Sequence, residues 1–180
     1  MNRITTILAI AVLTLAGGLV VASPAVAAGA QHMQNRRTGD CIDQHFKSNG
    51  AADIMVYAWP DPCHNVGNEH WVWEALGDGW YRVVNNRWDP ATGRRWCLSA
   101  PERAADNNRV YAEYCLPTPP PKQKWARASI TAPDSMTTSL IHSGRVEDMC
   151  IGQHTSPYTK LYLGKCWDER NNMLFRWIMS

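Results

Sequence analysis

The chain has 180 residues, a formal net charge of +2 and six cysteines, with 45% hydrophobic residues. That length is enough for one domain or two small ones, and the near-neutral balance leaves no electrostatic footprint for nucleic acid or an anionic membrane. The short basic spots "NRR" (35–37) and "GRR" (93–95) read as solvated turns.

The first element in chain order is not fold material. Arg3 precedes an apolar run from Ile4 to Val21, followed by "SPAVAAGA" with an Ala25-Val26-Ala27 exit. A basic start, an apolar centre and a small-residue exit describe a secretory signal peptide over 1–27. The mature chain is then 28–180, secreted, and expected without membrane insertion. Loss of Arg3 leaves 17 basic against 16 acidic residues, a net charge of +1.

A repeat organises everything after the leader. Cys41, Cys97 and Cys150 are separated by 56 and 53 residues, and Cys63, Cys115 and Cys166 by 52 and 51. Trp71, Trp125 and Trp177 follow at 54 and 52. Three landmarks recurring in one order at one period define three copies, about 31–82, 83–136 and 137–180. In an exported chain an even cysteine count reads as disulfides, and the repeat selects Cys41–Cys63, Cys97–Cys115 and Cys150–Cys166. No Cys-x-x-Cys occurs, so no metal and no cofactor is expected.

Each copy holds roughly four short runs rich in Val, Ile, Tyr and Trp, separated by Gly, Asn, Asp and Pro. In the second copy these are "WYRVVNN", "RWCLSA", "RVYAEYC" and "KWARASI". The Pro-rich "CLPTPPPKQ" (115–123) lies between two landmarks of one copy and reads as an inserted loop. No mature segment carries a long 3.6-residue period. The expectation is all-β: about twelve short strands in a pseudo-threefold barrel with hairpin caps. "RWDPATGRRW" (87–96) reads as a polar hairpin capped by two cross-strand Trp.

These landmarks resemble the ricin-type lectin β-trefoil family. Members have three repeats with a Cys-apolar-Asp start, an intra-repeat disulfide and a closing Gln-x-Trp. The starts here are "CID", "CLS" and "CIG". Only the second copy keeps the closing motif, as Gln123-Lys124-Trp125; the others have Glu69-His70-Trp71 and Phe175-Arg176-Trp177. The resemblance implies a β-trefoil whose Trp71, Trp125 and Trp177 pack in a shared core.

It also implies where a sugar binds: an Asp after the first cysteine, an aromatic ring on the third strand, and an Asn before the closing motif. The first copy keeps all three as Asp43, Trp59 and Asn68, with Glu69 in place of Gln and Tyr57 offering a hydroxyl. The types suit the task without the family. A flat ring covers the apolar face of a pyranose, and a carboxylate and an amide answer its hydroxyls. The second copy has Ser99, Glu113 and Lys122 at the places of the Asp, the ring and the Asn, and in the third Gly152 replaces the Asp and Leu174 and Phe175 replace the Asn-Gln pair, so both read as structural. The partner expected is a glycan or glycoconjugate. The alternative is a protein-interaction trefoil, such as a toxin delivery subunit or an inhibitor with a decayed sugar site, whose partner the sequence leaves unknown. Asp43 and Glu69 are a conceivable acid pair, but no Gly-x-Ser-x-Gly or His-Glu-x-x-His surrounds them, and no enzyme is expected. His64 and His70 read as surface loop residues.

Overall fold

The computed structural model describes residues 29–46, 52–60, 63–64, 66–101, 108–131, 137–145, 148–153, 159–166 and 175–179. The leader expected over 1–27 lies outside them, and among the described residues no helix is long and apolar enough to cross a membrane.

Among the described residues there are fourteen strand segments. The first repeat contributes β1 (Gln31–Asn35), β2 (Cys41–Phe46), β3 (Ala52–Trp59) and β4 (Trp71–Gly77). The second contributes β5 (Trp80–Trp88), β6 (Arg95–Ser99), β7 (Asn108–Arg109), β8 (Tyr111–Tyr114) and β9 (Trp125–Thr131). The third contributes β10 (Thr137–Ser143), β11 (Met149–Gly152), β12 (Thr159–Lys160), β13 (Tyr162–Lys165) and β14 (Phe175–Met179). β7–β8 and β12–β13 are each one strand interrupted for a single residue, Val110 and Leu161, so twelve strand positions result, four to a repeat. The Pro-rich segment is a loop inside the second repeat and ends in a 3-10 turn at Pro121–Gln123. β5 already begins at Trp80, so the chain turns between the first two repeats at Asp78–Gly79, before residue 82. That turn takes three successive left-handed residues, Gly77, Asp78 and Gly79 (φ 94°, 51° and 78°), which two glycines and an aspartate accept with least strain.

The first and fourth strands of every repeat close a ring: β1 pairs β14 and β4, β5 pairs β4 and β9, and β10 pairs β9 and β14. All six pairings are antiparallel, so the barrel has no free edge. The second and third strands form hairpins, β2–β3, β6–β8 and β11–β13, that cap it. They meet one another through β3–β8, β3–β12 and β7–β13. This is a β-trefoil.

Strand alternation sends one residue set inward from each repeat. Ile42, Leu98 and Ile151 are equivalent and fully buried, as are Val56, Val110 and Leu161. Trp71 and Trp125 share that core, and their indoles donate to equivalent carbonyls, Ile42 at 2.9 Å and Leu98 at 2.8 Å. A buried indole N–H needs such a partner. The core role expected of Trp177 falls on a side chain outside those described, although its strand pairs with β1 opposite Met33. The three disulfides join Cys41–Cys63, Cys97–Cys115 and Cys150–Cys166, with Cα atoms 5.6, 4.9 and 4.8 Å apart.

The expected pair of cross-strand Trp in 87–96 is corrected. A register shift on β5 between Val84 and Trp88 sets Trp88 opposite Arg95, while Trp96 lies opposite Tyr114 on β8. Trp96 is buried against Tyr114, ring centroids 4.3 Å apart, and Trp88 stays 57% exposed.

Candidate functional site

Ile42 faces the core, so Cys41, Asp43 and His45 share the other face of β2. Across the hairpin Cys41 stands opposite Trp59 and Asp43 opposite Tyr57. The Cys41–Cys63 bridge draws the following segment back over this face. A turn at Gly67–Glu69 then delivers Asn68 and Glu69 before Trp71 anchors β4 in the core.

Asn68 is held on three sides. Its carbonyl accepts from the Gln44 N–H at 3.1 Å and from Asn85 Nδ2 at 2.9 Å, and its Nδ2 donates to Asp43 Oδ2 at 2.5 Å. An open cavity of about 450 Å³ is lined by Asp43, Trp59, Asn68 and Glu69. Four of the five expected site residues therefore meet at one cavity. Tyr57 is not among its lining residues; its ring meets His45 edge-on at 5.8 Å, and His45 lines the cavity instead. His64, Val66 and Arg87 complete the wall.

Asp43 is only 6% exposed. Burial, and next to it the charge of Glu69, push its carboxyl up to about 7, against the Asn68 hydrogen bond and the charges of His64 and Arg87. Glu69, 1% exposed, is also raised by burial, with the His64 hydrogen bond acting against it. His64 Nδ1 lies 3.3 Å from Glu69 Oε1, and His32 Nδ1 lies 3.9 Å from Oε2. His70, expected on the surface, is 8% exposed, and its Nε2 is 3.0 Å from His32 Nε2. The antiparallel pairing of Gln31 with Trp71 sets His70 beside His32, on the strand face opposite the core residues Met33 and Trp71, and burial and then His70 hold the His32 imidazole below its ordinary value. His64 does lie at the surface, on the rim. The carboxylate standing where the family has Gln is thus wrapped by histidines.

The second repeat shows what the same frame does without a ring. Cys97 faces Glu113 as Cys41 faces Trp59, and Ser99 faces Tyr111 as Asp43 faces Tyr57. The Glu113 carboxylate accepts from Ser99 Oγ at 2.9 Å, Lys122 Nζ at 2.9 Å and Gln123 Nε2 at 3.0 Å. These polar groups satisfy one another. In the third repeat Gly152 faces Tyr162 and Cys150 faces Gly164, so glycines stand at the places of Asp43 and Trp59; Leu174 and the side chain of Phe175 lie outside those described. Among the described residues no group of three or more His, Cys, Asp or Glu is arranged to hold a metal.

Sequence reasoning did not single out Asn85 and Arg87, which come from the second repeat. A signal existed: Asn35-x-Arg37, Asn85-x-Arg87 and Ser143-x-Arg145 stand at one place in the three repeats. In each, the first side chain accepts from the arginine N–H, at 2.9, 2.9 and 3.1 Å.

The sequence matches no protein-family model and no curated protein. In structure the chain is similar to ThreeFoil, a designed threefold-symmetric protein, at 17% identity and TM-score 0.60, over 85% of this chain and 100% of that one. It is similar to an exo-β-1,3-galactanase from Clostridium thermocellum at 15% identity and TM-score 0.64, over 85% of this chain but 30% of that one. The C-half of an earthworm R-type lectin, solved in complex with GalNAc, matches at 12% identity and TM-score 0.56, over 85% and 100%. At these identities the likeness shows the fold alone, a β-trefoil.

Proposed function

We propose that this is a secreted carbohydrate-binding β-trefoil with one sugar site, in its first repeat. The observation that carries the reading is the contrast between repeats. In the first, a half-buried Trp59 ring and the Asp43–Asn68 pair line one open cavity. In the second, the corresponding groups are consumed by bonds to Glu113. The lectin neighbour with bound GalNAc supports the ligand class.

Trp59 covers the apolar face of a pyranose, while Asp43 accepts from its hydroxyls and Asn68 holds Asp43 in place. Charged hydrogen bonds contribute about 1.5–3 kcal/mol and neutral ones about 0.5–1.5. In an open, wet site the expected dissociation constant is of order millimolar, about −4 kcal/mol. A glycan array followed by titration tests this, with Trp59→Ala as control. Wild type is expected to bind and Trp59→Ala to fold but not bind. A folded wild type that binds no glycan removes the reading and leaves the protein-interaction trefoil in its place.

A further inference from the structure

The carboxyls of the site are its most buried charges, and the solvent-facing charge on its wall is a cation. Asp43 and Glu69 are 6% and 1% exposed, whereas Arg87 is exposed and lines the same cavity. His45 and His64, both exposed, flank it on the rim. From this distribution we infer that Arg87 is a specificity-determining residue and that the site selects pyranoses carrying an anionic substituent, a carboxylate or a sulfate. The inference rests on the sugar site described above and names its substrate class.

Arg87 is placed by the fold. Its N–H is held by Asn85 Oδ1 at 2.9 Å, and Asn85 Nδ2 holds the Asn68 carbonyl at 2.9 Å, so one buried amide joins β5 to the site turn. Gly67, in that turn, lies beside Arg87: a Cβ there would be in van der Waals contact with Arg87 Cβ, at 3.5 Å. Arg37 and Arg145 have the same backbone support in the other two repeats. Arg145 stands beside Pro120, Pro121 and Lys122 at a cavity of about 200 Å³ with no aromatic ring in its wall. Arg87 shares its cavity with a ring, a carboxyl and an amide, none of which lines the cavity beside Arg145.

A sugar seated on Trp59 and bonded to Asp43 points the rest of its rim at the wall. A hydroxyl there gains a single-charge hydrogen bond from the guanidinium. A carboxylate or sulfate gains a pair between two charges, which the planar fork of Arg can make bidentate. The chain has almost no net charge to attract anions generally, so the preference is local to this wall.

Titrations of the mature protein with galactose, galacturonate and galactose 6-sulfate, at low and at 0.5 M salt, test the inference. The expected result is at least about fivefold tighter binding of one or both acidic sugars at low salt, the two arms showing which anion fits, with the advantage shrinking in high salt. Arg87→Gln should remove the advantage while galactose still binds; Arg87→Lys should keep part of it, and thermal melts confirm both fold. Equal or weaker binding of the acidic sugars, or an advantage that survives Arg87→Gln, overturns the inference and leaves the sugar site standing. Absence of binding by all three sugars overturns the inference, and with no glycan bound on the array either it removes the site itself.

Discussion

Asp43 sets the chemistry of the cavity at the scale of single residues. Its carboxyl, pushed up to about 7 by burial and then by Glu69, changes charge within the working pH range. In the proposed sugar site it would accept hydroxyls weakly below that value, where it is neutral, and through charge-assisted hydrogen bonds above it. Galactose titrations should therefore show affinity rising from pH 5.5 to 8.5, by about five- to tenfold. Stability runs the opposite way. A carboxyl whose folded pKa is raised contributes its full stabilisation below the unfolded value, near 3.8, and loses it as pH rises through about 7. Asp43→Asn should accordingly raise the melting temperature at pH 8, by at most about 4 kcal/mol of stability, and leave it nearly unchanged at pH 3.5. The aromatic residues divide as sharply. Trp59 is half-buried beside the cavity, and Trp125 is fully buried with its indole bonded to Leu98. Trp125→Ala should cost about 3–5 kcal/mol in a denaturant melt, whereas Trp59→Ala should melt close to wild type. Similar melts for the two would place Trp59 in the core.

Elements convert these residues into a site. The β2–β3 hairpin brings Asp43 and Trp59 to one face by strand alternation, and the Cys41–Cys63 bridge fastens the next segment over it. Replacing both cysteines by Ala opens a loop with a sequence separation of 22, costing about 3 kcal/mol in the chain-entropy model. It should also weaken sugar binding, because Asn68 loses its tether. The same change at Cys150 and Cys166 should lower the melting temperature but spare binding, since that hairpin carries no site residue. A different element contact limits the second repeat. Gly144, after β10, packs so closely on Lys124 that a Cβ would lie 2.7 Å from Lys124 Cβ and 2.9 Å from its carbonyl oxygen. Gly144→Ala should then destabilise by about 1–3 kcal/mol, read as a lower melting temperature.

For the whole molecule, the repeat was legible because three packing landmarks must recur wherever a threefold barrel is closed from one chain. Cys spacing gave the disulfides, and the period-2 runs gave four strand positions per repeat. The equivalence of Ile42, Leu98 and Ile151 follows from their place after each first cysteine. That Asp43, Trp59, Asn68 and Glu69 meet at one cavity was also readable, since they lie within one repeat in a pattern of residue types. What the sequence could not settle depends on contacts between repeats or on register. Asn85 and Arg87 belong to the second repeat and reach the first site only because β5 runs beside β4 in the closed barrel. His70 is buried only because the pairing of β1 with β4 sets it against His32. Trp88 and Trp96 part company through a register shift that composition does not encode. Local pattern and spacing determined the elements and their order, because side-chain alternation and disulfide reach are short-range constraints. Which neighbours a carboxyl or a guanidinium meets is long-range, and barrel closure decided it.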